Sequence, residues 1–410
     1  MIKELCKKCN DGDDEFVGLR FEKNKPCVYF PRGYALSSND EDARCDILHL
    51  FAALQRFSNY REGIKSNNIS GDNTVSFPIL SYQFIIKDFL DNGYYVEKEV
   101  FYTENNRGKI NWKRTIQKET PQVDNNNIIY LDFIVKKNRI KDNNLITKIH
   151  QYCVYESFVK LGWLYLSSDA LPQKPTIRFN RRLFLSVIRE ELANTFNDKK
   201  RMLFNSMINI IENCSEDVES VNNFYYGVHR FEYVWENIID YVFGESNKDK
   251  YFPHATWHLI GKSGKIESSA LEPDTIIKLG DKIFIIDAKY YKYGITNNPM
   301  HLPGSSSIQK QITYAEYVEN NFGVDKDSIY NAFLLPFEKG ASDDNFKFVS
   351  VATADWKEYS NTTPNYNFVL GILVDTKYLI ENYTRQSKKD IFELSDLIIK
   401  SVENYRIGSN

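Results

Sequence analysis

The stretch "LEPDTIIKLGDKIFIIDAKYY", residues 271–291, constrains the fold more than any other part of the chain. Two β-type runs, 275–279 and 282–286, flank a Gly-Asp turn, and the second run is nearly all apolar. Antiparallel pairing across that turn brings Asp274 and Asp287 to the same open end, because the first residue of one strand faces the last of the other. Asp287 and Lys289 share a parity, so both side chains point to one face. A plain buried hairpin would carry no charge there. Here two carboxylates and an ammonium converge on one patch.

The surroundings supply the layers such a hairpin needs. A helical pattern at "HRFEYVWENIIDYVFG" precedes it and another at "SSIQKQITYAEYVENNF" follows. The strands "IYNAFLLPF" and "FKFVSVATADW" come next, then "NFVLGILVDTKYLIENYTR". Helix, acid-bearing strands, helix and strand predict an α/β arrangement, α+β over the whole chain, with a mixed sheet flanked by helices. Upstream, residues 145–212 read as helical. The first part is a mixed α/β region: strands at "EFVGLRF" and "CVYFPRGYAL", and helices at "DEDARCDILHLFAALQRFSNY" and "PILSYQFIIKDFLDNG". "YYVEKEVFYTENNRGKINWKRTI" predicts a hairpin turning at Asn-Asn-Arg-Gly, and "NIIYLDFIVKK" one further strand. Polar stretches at 66–73, 105–107, 121–127, 215–223 and 340–345 predict loops. Three segments follow: 1–144, a partner- or DNA-binding region; 145–222, a helical connection; and 223–410, which carries the hairpin.

Composition removes several classes of protein. With 42% apolar and 26% charged residues the chain is globular rather than disordered or fibrous. The net charge of -3 gives no global attraction to nucleic acid, so a polyanion must be held by local basic clusters or by a partner chain. No apolar run reaches the ~18 residues of a membrane span and no leader pattern opens the chain, so a cytoplasmic protein without membrane contact is expected. Six scattered cysteines agree. Cys6 and Cys9 form a CxxC, but Cys27, Cys45 and His49 stand singly, so free thiols are expected rather than zinc. His150, His254 and His258 lack ligand spacing and read as hydrogen-bonded structural residues.

Two hard oxygen donors at close range suit Mg²⁺, which keeps several waters and binds phosphate oxygens. Such a metal acidifies a water and shields charge on a scissile phosphate, and Lys289 beside it would orient or deprotonate that water and stabilise the developing charge. The spacing Pro273-Asp274-x12-Asp287-x-Lys289 resembles the PD-(D/E)xK nuclease superfamily motif. The resemblance implies a further acidic ligand on the preceding helix. Glu232 and Glu236 share a helical face there, and "WENII" favours Glu236; a solvated acidic stripe is the alternative for both. It also implies a Gln and a Tyr on the following helix that support the site and contact DNA. Gln311 and Tyr314 are the candidates, although the usual Gln-x-x-x-Tyr spacing is not met.

Further blocks extend the match. "FVGLRF", "YFPRGY", "RGKINWKRTI", "IHQYCVYESF", "FEYVWENIIDYVFG" and "LPGSSSIQKQITYAEY" occur in order, and with the hairpin they resemble the LlaJI family of restriction endonucleases. That resemblance implies a Mg²⁺-dependent endonuclease of a bacterial restriction–modification system, acting on double-stranded DNA. It implies a McrC-related nuclease subunit working with a McrB-like AAA+ subunit, through which alone GTP would enter. "GKSGK" at 261–265 is no P-loop, since Thr256 stands where the motif needs Gly. One site per chain predicts two copies, as in a homodimer, or two successive nicks for a double-strand break. Arg107, Lys109, Lys113 and Arg114 surround Trp112, a pattern suited to phosphates and a stacked base, to a partner's pore, or to a charged turn packing its own Trp. A stand-alone repair-type nuclease and a non-cleaving regulator of an AAA+ partner are the rival readings.

Overall fold

The protein is represented by a computed structural model that describes residues 2–9, 15–22, 25–63, 77–124, 127–141, 144–166, 171–214, 224–261, 264–383 and 386–408. The expected loops 66–73 and 215–223 lie outside these residues. The chain forms two compact units, one of residues 1–76 with 222–410 and one of residues 77–221. These cuts differ from the three consecutive segments expected: the first strands join the part that carries the hairpin, and the helical 145–212 belongs with 77–144. Among the described residues no helix is long and apolar enough to cross a membrane.

The larger unit begins with β1 (Cys6–Lys8), β2 (Val17–Glu22), β3 (Lys25–Phe30) and α1 (Asp40–Gly63). The chain then forms the smaller unit, built of α2 (Ile79–Asn92), β4 (Glu97–Glu104), β5 (Lys109–Ile110), α3 (Trp112–Lys118), β6 (Gln122–Asp124), β7 (Asn127–Ile129), β8 (Ile134–Lys141), α4 (Leu145–Tyr165), α5 (Arg181–Ala193) and α6 (Asp198–Asn213). Here the expected hairpin over 94–116 is replaced by something else. β4 and β5 do not pair with each other; both pair with β8, in the order β4-β8-β5. The segment from Trp112 is helical, its first turn closed by Asn111, whose side chain accepts the Arg114 N–H at 3.1 Å. "NIIYLDFIVKK" divides into β7 and β8, and β7 pairs with β6 inside the expected loop 121–127.

The larger unit resumes with β9 (Phe224–Val228), α7 (Phe231–Phe243), β10 (Thr256–His258), β11 (Lys265–Glu267), β12 (Thr275–Leu279) and β13 (Lys282–Ala288). It ends with α8 (Tyr293–Thr296), α9 (Ser305–Phe322), β14 (Ile329–Phe337), β15 (Phe346–Ala352), β16 (Val369–Asp375), α10 (Thr376–Asn382) and α11 (Lys388–Gly408). Its principal sheet has the order β12-β13-β14-β16-β15, with β13, β14 and β16 parallel. Central parallel strands are covered on both faces, which is why β13, β14 and β16 are almost wholly apolar. On one face Ile283, Ile285 and Phe333 pack with Ile312, Ala315 and Val318 of α9. α7 and α11 also pack against the sheet. Each such aliphatic side chain contributes roughly 1.5–3 kcal/mol on burial.

The second sheet, β1-β3-β2-β9, joins the first strands to the segment that resumes the larger unit at Phe224. β2 and β9 meet at a pair of glycines, Gly18 opposite Gly227. Gly18 has φ 137°, and a Cβ there would stand 2.2 Å from the Tyr226 carbonyl oxygen. Gly18→Ala is therefore expected to lower stability by ~2–4 kcal/mol, read by chemical denaturation of the full chain. Unchanged stability would show that this strand contact does not hold the unit together.

Candidate active site

The hairpin forms in the predicted register. Thr275 pairs with Ile286 and Leu279 with Lys282, which leaves Gly280 and Asp281 as a two-residue turn. Gly280 takes φ 65°, the left-handed first position that such a turn requires. One step beyond the Thr275–Ile286 pair, Asp274 and Asp287 meet at the open end. Asp274 Oδ2 accepts the Ala288 N–H at 2.7 Å, which pins its carboxylate to the end of β13. Burial alternates along the strand: Ala288 and Tyr290 are buried, while Asp287 and Lys289 keep partial access to solvent. Lys289 forms an ion pair with Asp287.

Helix α7 brings a third carboxylate within electrostatic reach. Burial, and then the negative charges of Asp287 and Glu236, push the Asp274 carboxyl up to about 8. Burial also raises Glu236 to about 7, with Lys289 opposing and Asp287 adding to the effect. For Lys289, burial alone would favour the neutral amine, but the Asp287 carboxylate outweighs it and holds the ammonium above its ordinary range. The patch therefore has an excess of buried negative charge that one lysine only partly offsets. Glu232 faces another partner, the Arg230 side chain at 2.7 Å.

From α9, Tyr314 is buried close to the acids. Burial, then Asp287 and Asp274, raise its phenol to about 12, and its hydroxyl donates to the Glu272 carbonyl at 3.4 Å. Gln311 is completely buried, and its amide oxygen and nitrogen have no hydrogen-bond partner among the described residues. Arg107, Lys109, Trp112, Lys113 and Arg114 lie in the smaller unit, all exposed. Trp112 packs edge-on to Phe133 at 5.8 Å and Arg114 lies 4.0 Å over the Tyr102 ring. His150 is buried and accepts the Tyr95 N–H at 3.0 Å, whereas His254 and His258 are exposed rather than built into a core.

Several supports have no signature in the sequence. Lys248 bridges the Asp240 carboxylate (2.7 Å) and the Asp274 carbonyl (2.5 Å), bracing the start of β12. Asp240 lies one helical turn past Glu236, a spacing that marks it for attention; Lys248, in a short turn, has no such mark. Behind Lys289, Tyr290 packs on Phe231 and Trp235, and its hydroxyl accepts the Arg32 N–H at 2.6 Å. The Arg32 guanidinium lies 5.3 Å from the same ring and pairs with Glu15. The block "YFPRGY" thus steadies the strand that carries Asp287 and Lys289, from more than 250 residues away in sequence.

The described cysteines are free thiols, and among the described residues no group of three or more His, Cys, Asp or Glu is arranged to hold a metal ion. The four-acid set is thus not preassembled. Asp274 and Asp287, two largely buried carboxylates at one strand end, nevertheless match the donor set of Mg²⁺, which needs only one or two protein carboxylates.

Fold and site define an α+β protein with an acid–acid–lysine patch at one end of its principal sheet. The chain belongs to the LlaJI restriction endonuclease family, whose model matches residues 16–362, and is accordingly a restriction-system nuclease. It is 27% identical over 328 residues to the type II restriction enzyme BsuMI component YdjA of Bacillus subtilis (strain 168), covering 77% of this chain and 69% of that protein. Among solved structures it is similar, at a TM-score of 0.36 and 15% identity, to a refined half-complex from a tetradecameric assembly of Thermococcus gammatolerans McrB AAA+ hexamers with bound McrC. That match covers 95% of this chain and 82% of the other.

The raised carboxyls set a pH dependence. Asp274 ordinarily ionises near 3.8 and here near 8, so the folded chain holds a proton that the unfolded chain releases between those values. The contribution of Asp274 to stability therefore falls as pH rises from about 4 to about 8 and is constant above that. In EDTA, Asp274→Asn, which can still accept the Ala288 N–H, is expected to gain on the order of 1 kcal/mol or more at pH 8 and nothing near pH 4. Denaturation curves at the two pH values test this. An equal effect at both would contradict the burial of this charge.

Proposed function

We propose that the chain is a Mg²⁺-dependent DNA endonuclease subunit of a restriction system, with phosphodiester hydrolysis at Asp274, Asp287 and Lys289. The observation that carries this reading is the hairpin register, which sets two carboxylates and an ammonium at one strand end. Family membership supports the DNA substrate. Asp274 and Asp287 would hold the cation, with Glu236 as a further donor. Mg²⁺ supplies Lewis acidity toward a phosphate oxygen and makes a water more acidic. Lys289, kept protonated by Asp287, donates to a non-bridging phosphate oxygen and stabilises the charge that develops there. This favours charge stabilisation over proton abstraction among the roles open to that lysine.

The partner in this reading is a McrB-like AAA+ GTPase, since the sequence resembles McrC-related subunits and carries no P-loop at 256–263. GTP enters through that partner alone. Double-strand cleavage takes two copies of the site, by dimerisation or successive nicking. The exposed Arg107, Lys109, Trp112, Lys113 and Arg114 suit either duplex DNA or the partner, and the compartment is the cytoplasm.

Asp287→Ala is expected to keep the fold, by circular dichroism, and to lower plasmid cleavage by about 10³-fold or more, assayed with Mg²⁺, GTP and an adjacent-gene GTPase. Retained cleavage would refute the site. Cleavage by the unsubstituted chain at the same rate without GTP and partner would remove the partner from the reading. Mg²⁺ is further expected to raise the Tm of the unsubstituted chain and not that of Asp287→Ala.

A further inference from the structure

The segment before Asp274 forms a ribbon of unusual composition. β10 and β11 pair antiparallel, with Trp257 opposite Ile266 and His258 opposite Lys265. They pack chiefly on each other. Pairing continues toward the site: Ser268 N–H donates to the Ala255 carbonyl at 2.8 Å and Leu271 N–H to the Pro253 carbonyl at 2.9 Å. Three residues after Leu271 comes Asp274. The ribbon is thus an arm rooted beside the acid pair. From Pro253 to Ile260 it spans at most ~23 Å at ~3.3 Å per residue.

Opposed residues on neighbouring strands share a face. One face therefore carries Trp257 and Ile266, 65% and 53% exposed, with exposed Leu259 at the next position of the same parity. Ile260, at the outer end, is fully exposed, and Gly261 follows it at φ 77°. The other face carries Thr256, His258, Lys265 and Glu267. An isolated two-stranded ribbon is marginal in water, and one presenting Trp, Leu and two Ile to solvent has no solvation reason to exist.

We propose that this ribbon is a DNA-binding arm that enters the major groove of the duplex being cut, and this rests on the reading of the chain as a DNA endonuclease. Three observations favour DNA over a protein occupant. A two-stranded ribbon fits the ~12 Å major groove, where apolar side chains meet thymine methyl groups. Lys265 and His258, on the opposite face, suit the flanking phosphates. The base of the arm, where Leu271 bonds to Pro253, lies three residues before Asp274 along the chain, so a phosphate at Asp274 places its own duplex against the ribbon base. Its length, below the ~35 Å helical repeat, confines its contacts to within one turn of the cut.

The test uses the full chain and a short duplex, with Ca²⁺ in place of Mg²⁺ to prevent turnover. The double variant Trp257→Ser, Ile260→Ser is expected to weaken duplex binding by about tenfold or more. A photoreactive p-benzoylphenylalanine replacing Ile260 is expected to cross-link to the duplex. Absent duplex binding, unchanged affinity of the double variant, or cross-links to protein alone would overturn the proposal. Hydrolysis of bis(p-nitrophenyl) phosphate by the unsubstituted chain with Mg²⁺ reads the catalytic assignment separately, so the arm and the site can fail independently.

Discussion

The bond from the Ala288 N–H to the Asp274 carboxylate is the contact on which the site depends. It extends the β12–β13 ladder by one step, using a side chain where the backbone of the first strand has ended. An acid that buried charge would otherwise drive away is thereby held beside Asp287. The opposing strain is visible in the raised proton affinities of Asp274 and Glu236, and Lys289 offsets only part of it. A site in this state has more to gain from a cation than from another hydrogen bond.

Holding those charges together requires a stiff support, and the fold provides it on both sides of β13. Ile283 and Ile285 lock one face against α9. On the other, Tyr290 is gripped by Phe231, Trp235 and Arg32. Arg32 is itself tied in through its carbonyl, which accepts the Thr376 hydroxyl at 3.0 Å. The N-terminal strands are therefore part of the site's foundation. Residues 77–221 leave from this unit and return to it, because β9 must come back to pair with β2.

Where the sequence reading departed from the structure, non-local pairing was the cause. Residues 97–110 contain two β-type runs around an Asn-Asn-Arg-Gly turn, the local form of a hairpin. β8, some thirty residues further along, takes the partner edge of both. The Asn111 cap then turns "WKRTIQK" into a helix, although its residues alternate passably for a strand. The Gln-Tyr pair on α9 divides in a similar way: Tyr314 lies near the acids, while Gln311 is sealed in the core.

By itself the sequence determined the hairpin, its turn, its register and the convergence of Asp274, Asp287 and Lys289. All of these follow from the two-residue period of a strand and the closure of one short loop. It also determined the helices at 145–165 and 305–322, whose apolar spacing repeats over many turns. The tertiary structure alone decided that Arg32 and Lys248 brace the site, that Glu232 turns to Arg230, and that the first strands share a unit with the last helices. Those outcomes depend on which distant surfaces close against each other, and no spacing along the chain encodes that choice.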